Sequence, residues 1–333
     1  MDLRSDYTLG KDVFVKLIRL DDEIKERLEI SLKNGKEYAP FNTVEFLMTY
    51  LISKERPDLI SPGSQVLYSE RELNIQYFSD KTYAEIIREF SRFNPNINDM
   101  KSIIIISQLL EGNLEQFVRG GPDRKELEDS LIHISWLYFE YSKLFFATHG
   151  DPKPANYTWK KLDNPVDITY DFRDSFDSSE KRLILRKGVR NLFYLTDLEF
   201  AHSPFVIERE GKYFNFTKIY DFIDDGRKDI ILVPKLSSEP YYDYNTNLYG
   251  GYYQKVLKKE GDIRERFGIF PRIFTIDLLV LIKTFLTYDY PRYFPAYTFR
   301  KLNLYFTRFI ALSSENRDYS KASPAAFAFL ISE

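Results

Sequence analysis

The stretch Thr148-His149-Gly150-Asp151-Pro152-Lys153-Pro154-Ala155-Asn156-Tyr157-Thr158-Trp159 sets a carboxylate and an amide close together in a proline-rich turn. Further on, the apolar run Leu192-Phe193-Tyr194-Leu195 leads into Thr196-Asp197-Leu198-Glu199-Phe200-Ala201. A carboxylate such as Asp151 can accept the proton of an incoming hydroxyl. Asn156 and Asp197 can present oxygens to a hard cation such as Mg2+. Together the three could manage a metal-bound triphosphate. The bland alternative is a surface turn that matches by chance, but a multi-position pattern followed in order by a second carboxylate is hard to produce accidentally.

Such side chains need elements to aim them. From Asp123 to Phe146, Leu127, Leu131, Ile134, Leu137, Tyr138, Tyr141, Leu144 and Phe145 recur at spacings of three and four, which predicts a long helix delivering the chain into His149. His133 on that helix reads as a packing or surface histidine rather than a ligand. Upstream, Lys101 to Leu110 holds four consecutive isoleucines before Glu111-Gly112-Asn113, the pattern of a strand buried on both faces; Leu114 to Val118 then reads as a short helix. Residues 7–20 read as a strand on the β-branched and aromatic run Asp12 to Leu20, with Lys16 in its apolar middle, and on its own that lysine is an edge-strand charge facing solvent.

Asp21 to Asn34 predicts a charged helix stopped by Gly35, and Thr43 to Ser53 a second one capped by Asn42. Glu45 lies in the first turn of the second, where an acid usually offsets the helix dipole, and Phe46, Leu47, Tyr50 and Leu51 form its apolar face. Pro62-Gly63 marks a turn, Gln65–Tyr68 with Asn74–Phe78 a hairpin, and Ser79 or Asp80 the start of a helix to about Phe93. Residues 163–190 read as an inserted hairpin or excursion. Residues 202–265, rich in Tyr, Lys and Asp, show little periodicity and read as a long segment near the site, a solvated surface in preference to a substrate platform. Pro271 opens a helix with Phe274, Leu278, Leu281, Ile282 and Phe285 on its face, interrupted by Asp277, and 291–333 reads as two short helices and a tail.

Bulk properties narrow the classes. The 333 residues suffice for one or two domains with a sizeable core. A net charge of −3 gives no reason to expect a nucleic-acid partner, because phosphate-backbone binding needs clustered positive charge. The absence of cysteine removes disulfides, thiolate metal sites and a cysteine nucleophile, and fits a reducing compartment. No apolar run approaches the ~20 residues of a membrane span. The opening Met-Asp-Leu-Arg-Ser-Asp has no apolar core of a signal peptide.

Taken in order, these stretches resemble the protein-kinase superfamily over about residues 7–290, in a style similar to the divergent serine/threonine kinases of large DNA viruses such as the poxvirus virion kinases. The resemblance rests on His149-Gly150-Asp151-Pro152-Lys153-Pro154-Ala155-Asn156 as an H-x-D-x-K-P-x-N loop, on Asp197 after it, and on Val13-Phe14-Val15-Lys16 as a V-A-I-K-type strand. It implies an α+β, two-lobed protein-kinase-like fold, with a small, truncated-looking N-terminal β-rich lobe over 1–110. A mainly α-helical C-terminal lobe would span 111–333, with an insertion at about 163–190. It further implies ATP and Mg2+ as cofactors, a protein substrate, and a place in the host cytoplasm or virion. Asp151 would act as the base and Lys153 would steady the transferring γ-phosphoryl group, while Asn156 and Asp197 would hold Mg2+. Lys16 would hold the α- and β-phosphates and pair with Glu45, for which Glu23, Glu26 and Glu29 compete. Backbone around Gln108 and Leu110 would meet adenine, and Asp277 would bond backbone just before Asp151.

Three departures matter. Gly150 replaces the arginine of H-R-D, which implies activity not gated by phosphorylation of an activation loop. Leu198-Glu199 replaces Phe-Gly after the second aspartate, a form shared with aminoglycoside- and choline-type kinases, although Lys153 stands where those usually carry histidine. No G-x-G-x-x-G precedes Lys16, and Gly10 is the only glycine before it. Three readings follow: a natural N-terminus upstream, phosphates covered by other means, or a fold that has become a pseudokinase scaffold.

Overall fold

A computed structural model describes residues 13–40, 43–68, 88, 102–145, 147–173, 183–201, 203, 206–216, 270–287, 289–312 and 323–333. In chain order the elements are β1 (Val13–Arg19), α1 (Asp22–Asn34), α2 (Val44–Glu55), β2 (Gln65–Tyr68), β3 (Ser102–Gln108), β4 (Gly112–Asn113), α3 (Leu114–Arg119), α4 (Arg124–Phe145), β5 (Tyr157–Asp171), β6 (Leu183–Leu195), β7 (Val206–Arg209), β8 (Lys212–Asn215), α5 (Phe270–Leu286), α6 (Ala296–Leu312) and α7 (Pro324–Ser332). The architecture is α+β. It divides into two compact units: Met1–Leu110 with Asp197–Ala201 and Val206–Phe216, and Glu111–Thr196 with His202–Phe205 and Thr217–Glu333. The segments 197–201 and 206–216, expected with the rest of 111–333, group with residues 1–110. Leu198, Ile207, Phe214 and Phe216 are buried in the first unit, and burial of those apolar side chains takes their segments with it.

The first unit is built on an antiparallel sheet of order β1-β3-β2. Ile103, Ile104, Ile105 and Ile106 of the central β3 are all buried, which is why that strand carries apolar residues at consecutive positions instead of alternating ones. Lys16 on β1 stands opposite Ile105. Strand β2 pairs with β3 through Gln65↔Ile106; the Asn74–Phe78 strand and most of the helix expected up to Phe93 lie outside the described residues. Helix α1 starts where the Asp21 side chain accepts from the Ile24 amide at 2.8 Å. It stops at Gly35, whose φ of 65° suits glycine. Helix α2 departs from the one-faced helix expected: Val44 to Ile52 are buried without a break, so it is a core helix with no polar face over that span. Strands β7 and β8 form a hairpin closed by Glu210 (φ 51°) and Gly211 (φ 71°), the two left-handed residues that a tight two-residue turn requires.

In the second unit α4 is the central element and packs against α7, β6 and α5. Leu127, Leu131, Ile134, Leu137, Tyr138, Tyr141 and Phe145 are buried along it. Strands β5 and β6 make a long hairpin from Tyr157↔Leu195 out to Asp171↔Leu183, with its register shifting between Lys161 and Ile168. Of the 163–190 excursion, residues 163–171 and 183–190 belong to this hairpin, and 174–182 lie outside the described residues. His133 is a packing residue: buried, with Nδ1 3.1 Å from the Tyr170 hydroxyl and Nε2 3.0 Å from the Phe193 carbonyl, it fastens α4 to both strands. Helix α5 buries Leu278, Leu281, Ile282 and Phe285, while the Phe274 side chain lies outside the described residues.

The C-terminal region is more regular than expected. Helix α6 has 17 residues, and α7 runs to Ser332, because Ala325, Phe327, Ala328 and Ile331 give it a face to bury. The buried Lys301 of α6 donates to the Ile331 carbonyl at 2.9 Å and satisfies the last turn of α7. Of the 202–265 segment, residues 217–265 lie outside the described residues. Among the described residues no helix is long and apolar enough to cross a membrane.

Candidate functional site

The second unit holds the His149–Asn156 loop. Asp277, fully buried on α5, accepts from the amides of His149 (2.7 Å) and Gly150 (3.2 Å). The loop thus hangs from one carboxylate at two adjacent N–H groups. Gly150 has a φ of 82°, a left-handed backbone that side chains with a Cβ resist. The His149 ring points to the end of β6, with Nε2 2.9 Å from the Thr196 carbonyl, and the Thr196 amide donates to the Asn156 carbonyl at 3.1 Å. The glycine at position 150 is therefore a backbone requirement. Gly150→Arg should lower the unfolding free energy by about 1–2 kcal/mol, read as a drop in melting temperature; an unchanged melt would mean the loop does not need the left-handed conformation.

Within this loop three expected residues meet. Lys153 Nζ lies 2.6 Å from Asp151 Oδ2, and Asn156 Nδ2 donates to the same oxygen at 3.0 Å and to the Asp151 carbonyl at 2.9 Å. Among the described residues no donor reaches Asp151 Oδ1, the atom that could take a hydroxyl proton. With its nitrogen committed to Asp151, Asn156 keeps Oδ1 as the atom able to ligate a cation. Asp151 and Asn156 are buried and Lys153 half-buried, so the charged pair is screened less than a surface one.

The first unit gathers the other expected groups. Lys16 Nζ is 2.5 Å from Glu45 Oε2 and 3.1 Å from Asp197 Oδ1. Lys16 is thus not the solvent-facing edge charge that its strand alone suggests; it is half-buried between two carboxylates on separate elements. Asp197 has a φ of 59°, a left-handed conformation that aspartate tolerates better than most residues and that is concentrated at functional positions. Ligand oxygens of Glu45, Asp197 and Glu199 lie within 4.8 Å of one another. Glu199 carries no role in the sequence reading; the D-x-E spacing was the available signal, and the tight turn Leu198–Phe200 brings its carboxylate back beside Asp197. Gln108 donates its amide to the Pro62 carbonyl at 3.0 Å, so that N–H is already used and adenine contact at this position would fall to other backbone groups. Leu110 ends the first of the three segments that make up the first unit.

The charges of the first cluster interact strongly. Burial works against the Lys16 ammonium, but Glu45 and Asp197 outweigh it and hold the pKa above the ordinary 10.5. Burial pushes Glu45 above its ordinary 4.5; Lys16 pulls part of the way back, and Asp197 and Glu199 add to the rise. Both groups hold protons more tightly folded than unfolded, so the linkage has one sign. Lys16 contributes stability that is full below pH 10.5 and is lost as pH rises through its folded pKa. Glu45 gains stability for the fold as pH falls through its raised pKa, unlike a typical paired carboxylate. Relative to Glu45→Gln, the wild type should therefore become more stable from neutral pH toward its raised pKa in chemical denaturation; a steeper acid loss in the wild type would contradict this.

Neither the known protein-family profiles nor the curated proteins give a match to this chain.

Proposed function

We propose that this chain transfers the γ-phosphoryl group of ATP to serine or threonine hydroxyls of a protein, on a two-lobed protein-kinase-like fold whose lobes are the two units. The observation that carries the reading is the meeting of Lys16, Glu45 and Asp197, three residues far apart in sequence and held on a strand, a helix and a strained turn. A lysine steadied by a buried glutamate suits the α- and β-phosphates of a nucleotide. The loop of the second unit carries further groups that such a transfer uses: Asp151 Oδ1 could receive or orient the hydroxyl proton, and Lys153 could offset charge on the group in transit. Asn156, and Asp197 with Glu199 as a further carboxylate, are the residues that would hold Mg2+, which would neutralise phosphate charge. The protein's own task is then positioning and charge compensation, since phosphoryl transfer needs little covalent chemistry from it.

Incubation with Mg-ATP and casein or a basic protein should label serine or threonine, and the label should vanish in Asp151→Ala. Consumption of ATP with a small alcohol but no labelled protein would instead favour a small-molecule phosphotransferase. In parallel, Mg-ATP at a hundred times its dissociation constant should stabilise the fold by about 2.7 kcal/mol. No thermal shift at millimolar nucleotide would turn the reading toward a pseudokinase scaffold.

A further inference from the structure

In the first unit, the residues after Asp197 fasten themselves to α2, the helix that carries Glu45. The turn Leu198–Phe200 packs on α2. The β7–β8 hairpin then grips the far end of the same helix. Arg209 Nε lies 2.5 Å from Glu55 Oε1 in its last turn. Tyr50 on α2 stacks on Phe214 with ring centroids 6.2 Å apart, and its hydroxyl reaches Glu210 at 3.5 Å.

The hairpin is itself anchored on its other side. Asn215, buried, donates to the Gly35 carbonyl at 2.8 Å, and its own carbonyl accepts from the Ala39 amide at 2.9 Å. Approach at that point is close: a Cβ on Gly35 would come within 2.9 Å of Tyr213 Cβ. Ile207, Phe214 and Phe216 are buried as well. A solvated surface segment would show none of this.

We propose that the Val206–Asn215 hairpin is a permanent brace for α2, keeping Glu45 on Lys16 without a phosphorylated residue or a partner protein to set the pair. Arg209, Glu55 and Asn215 are positioning residues for the Lys16 amine. Their importance for turnover rests on the phosphotransferase reading above; the bracing itself does not. The physical case lies in how α2 is held at its two ends. At its start Thr43 makes no side-chain cap to the helix and donates its hydroxyl instead to the Pro40 carbonyl at 2.6 Å. Any swing of that end strands a buried carboxylate and weakens the hold on Lys16. The hairpin removes the swing by fixing the helix at Tyr50 and Glu55, which biases the equilibrium toward the paired arrangement before any ligand arrives.

The test reads the Lys16 amine directly, in the full chain without nucleotide. Trace acetylation with acetic anhydride, followed by peptide mass mapping, gives the rate at which Lys16 reacts. Arg209→Ala or Glu55→Ala should raise that rate about twofold, the scale of a half-exposed ion pair. Asn215→Ala, which strips a buried bond, should raise it about tenfold, and the exchanged pair Glu55→Arg with Arg209→Glu should return it toward the wild-type rate. Amide exchange across Ile103–Ile106 of β3, followed on the same samples, reports opening of the whole unit. The brace is overturned if Lys16 reacts at the wild-type rate in all the single variants, or accelerates only in step with β3 exchange. Adding Mg-ATP separates the two ideas: failure of nucleotide to protect wild-type Lys16 sinks the phosphotransferase reading, while the brace still stands or falls on the rates measured without it.

Discussion

Asp151→Asn should lower turnover in the protein-labelling assay by roughly 10²–10⁴-fold, the range for losing a positioned proton acceptor, and leave the fold intact. The substitution is nearly isosteric. An asparagine oxygen can still accept from Lys153 and Asn156, which donate to Asp151 Oδ2 at 2.6 and 3.0 Å. What disappears is the negative charge and the basic Oδ1. The Asn156 bond to the residue-151 carbonyl at 2.9 Å does not depend on the side chain and should keep the turn closed. The KM for ATP should therefore change little while kcat collapses, because the Lys16–Glu45 pair is untouched. Initial rates at varied ATP and fixed acceptor protein decide the matter. Turnover within tenfold of wild type would remove Asp151 from the chemistry, and a parallel loss of ATP binding would make its role structural.

The same residues show where sequence could and could not be read. The loop was legible because its chemistry is local: Asp151, Lys153 and Asn156 contact one another within six positions, and glycine at 150 marks the backbone turn they need. Strand β3 was legible because burial on both faces demands a run of isoleucines, and α4 because its large apolar residues recur every three or four positions even though Leu127 to Ser135 are buried without a break. Helix α2 was legible as a helix but not as a core helix, since burial from Val44 to Ile52 erases the polar side that sets a face.

The β7–β8 hairpin was missed. Its strands have four residues each, too short to show alternation, and the one local signal was Glu210-Gly211 between them. Its place in the first unit is carried by partners such as Glu55 for Arg209 and Gly35 for Asn215, and pairings across that much chain leave no local mark. Glu199 illustrates the same limit: its spacing from Asp197 was visible, but its approach to Glu45 depends on how the turn and α2 pack.

Asp277→Ala should cost about 3–5 kcal/mol, since hydrogen bonds to a charged acceptor are worth ~1.5–3 kcal/mol each and two are lost together. In a unit of this size that corresponds to a fall of about 10 °C or more in melting temperature. The carboxylate is fully buried, and its acceptor capacity is used by the backbone amides of His149 and Gly150 at 2.7 and 3.2 Å. Burial, and after it the Asp277 charge, push the nearby Tyr141 hydroxyl well above its ordinary pKa, so that this tyrosine stays neutral. Alanine leaves both amides without that acceptor, the His149 N–H buried and the Gly150 N–H part-buried. Asp277→Asn should recover part of the loss, because one amide oxygen can serve one of the two N–H groups. Asp277→Leu should recover none, because filling the volume does nothing for the donors. This ordering, Asp above Asn above Leu and Ala, distinguishes a hydrogen-bonded anchor from simple packing, which would put Leu above Ala and level with Asn. Thermal melts of the four proteins, with turnover measured well below the lowest melting point, complete the argument. If the loop is held mainly from Asp277, kcat falls in the same order while the protein is still folded. If Asp277→Ala melts within a degree of the wild type, water has taken over the two amides and the loop that presents Asp151 is held by something else.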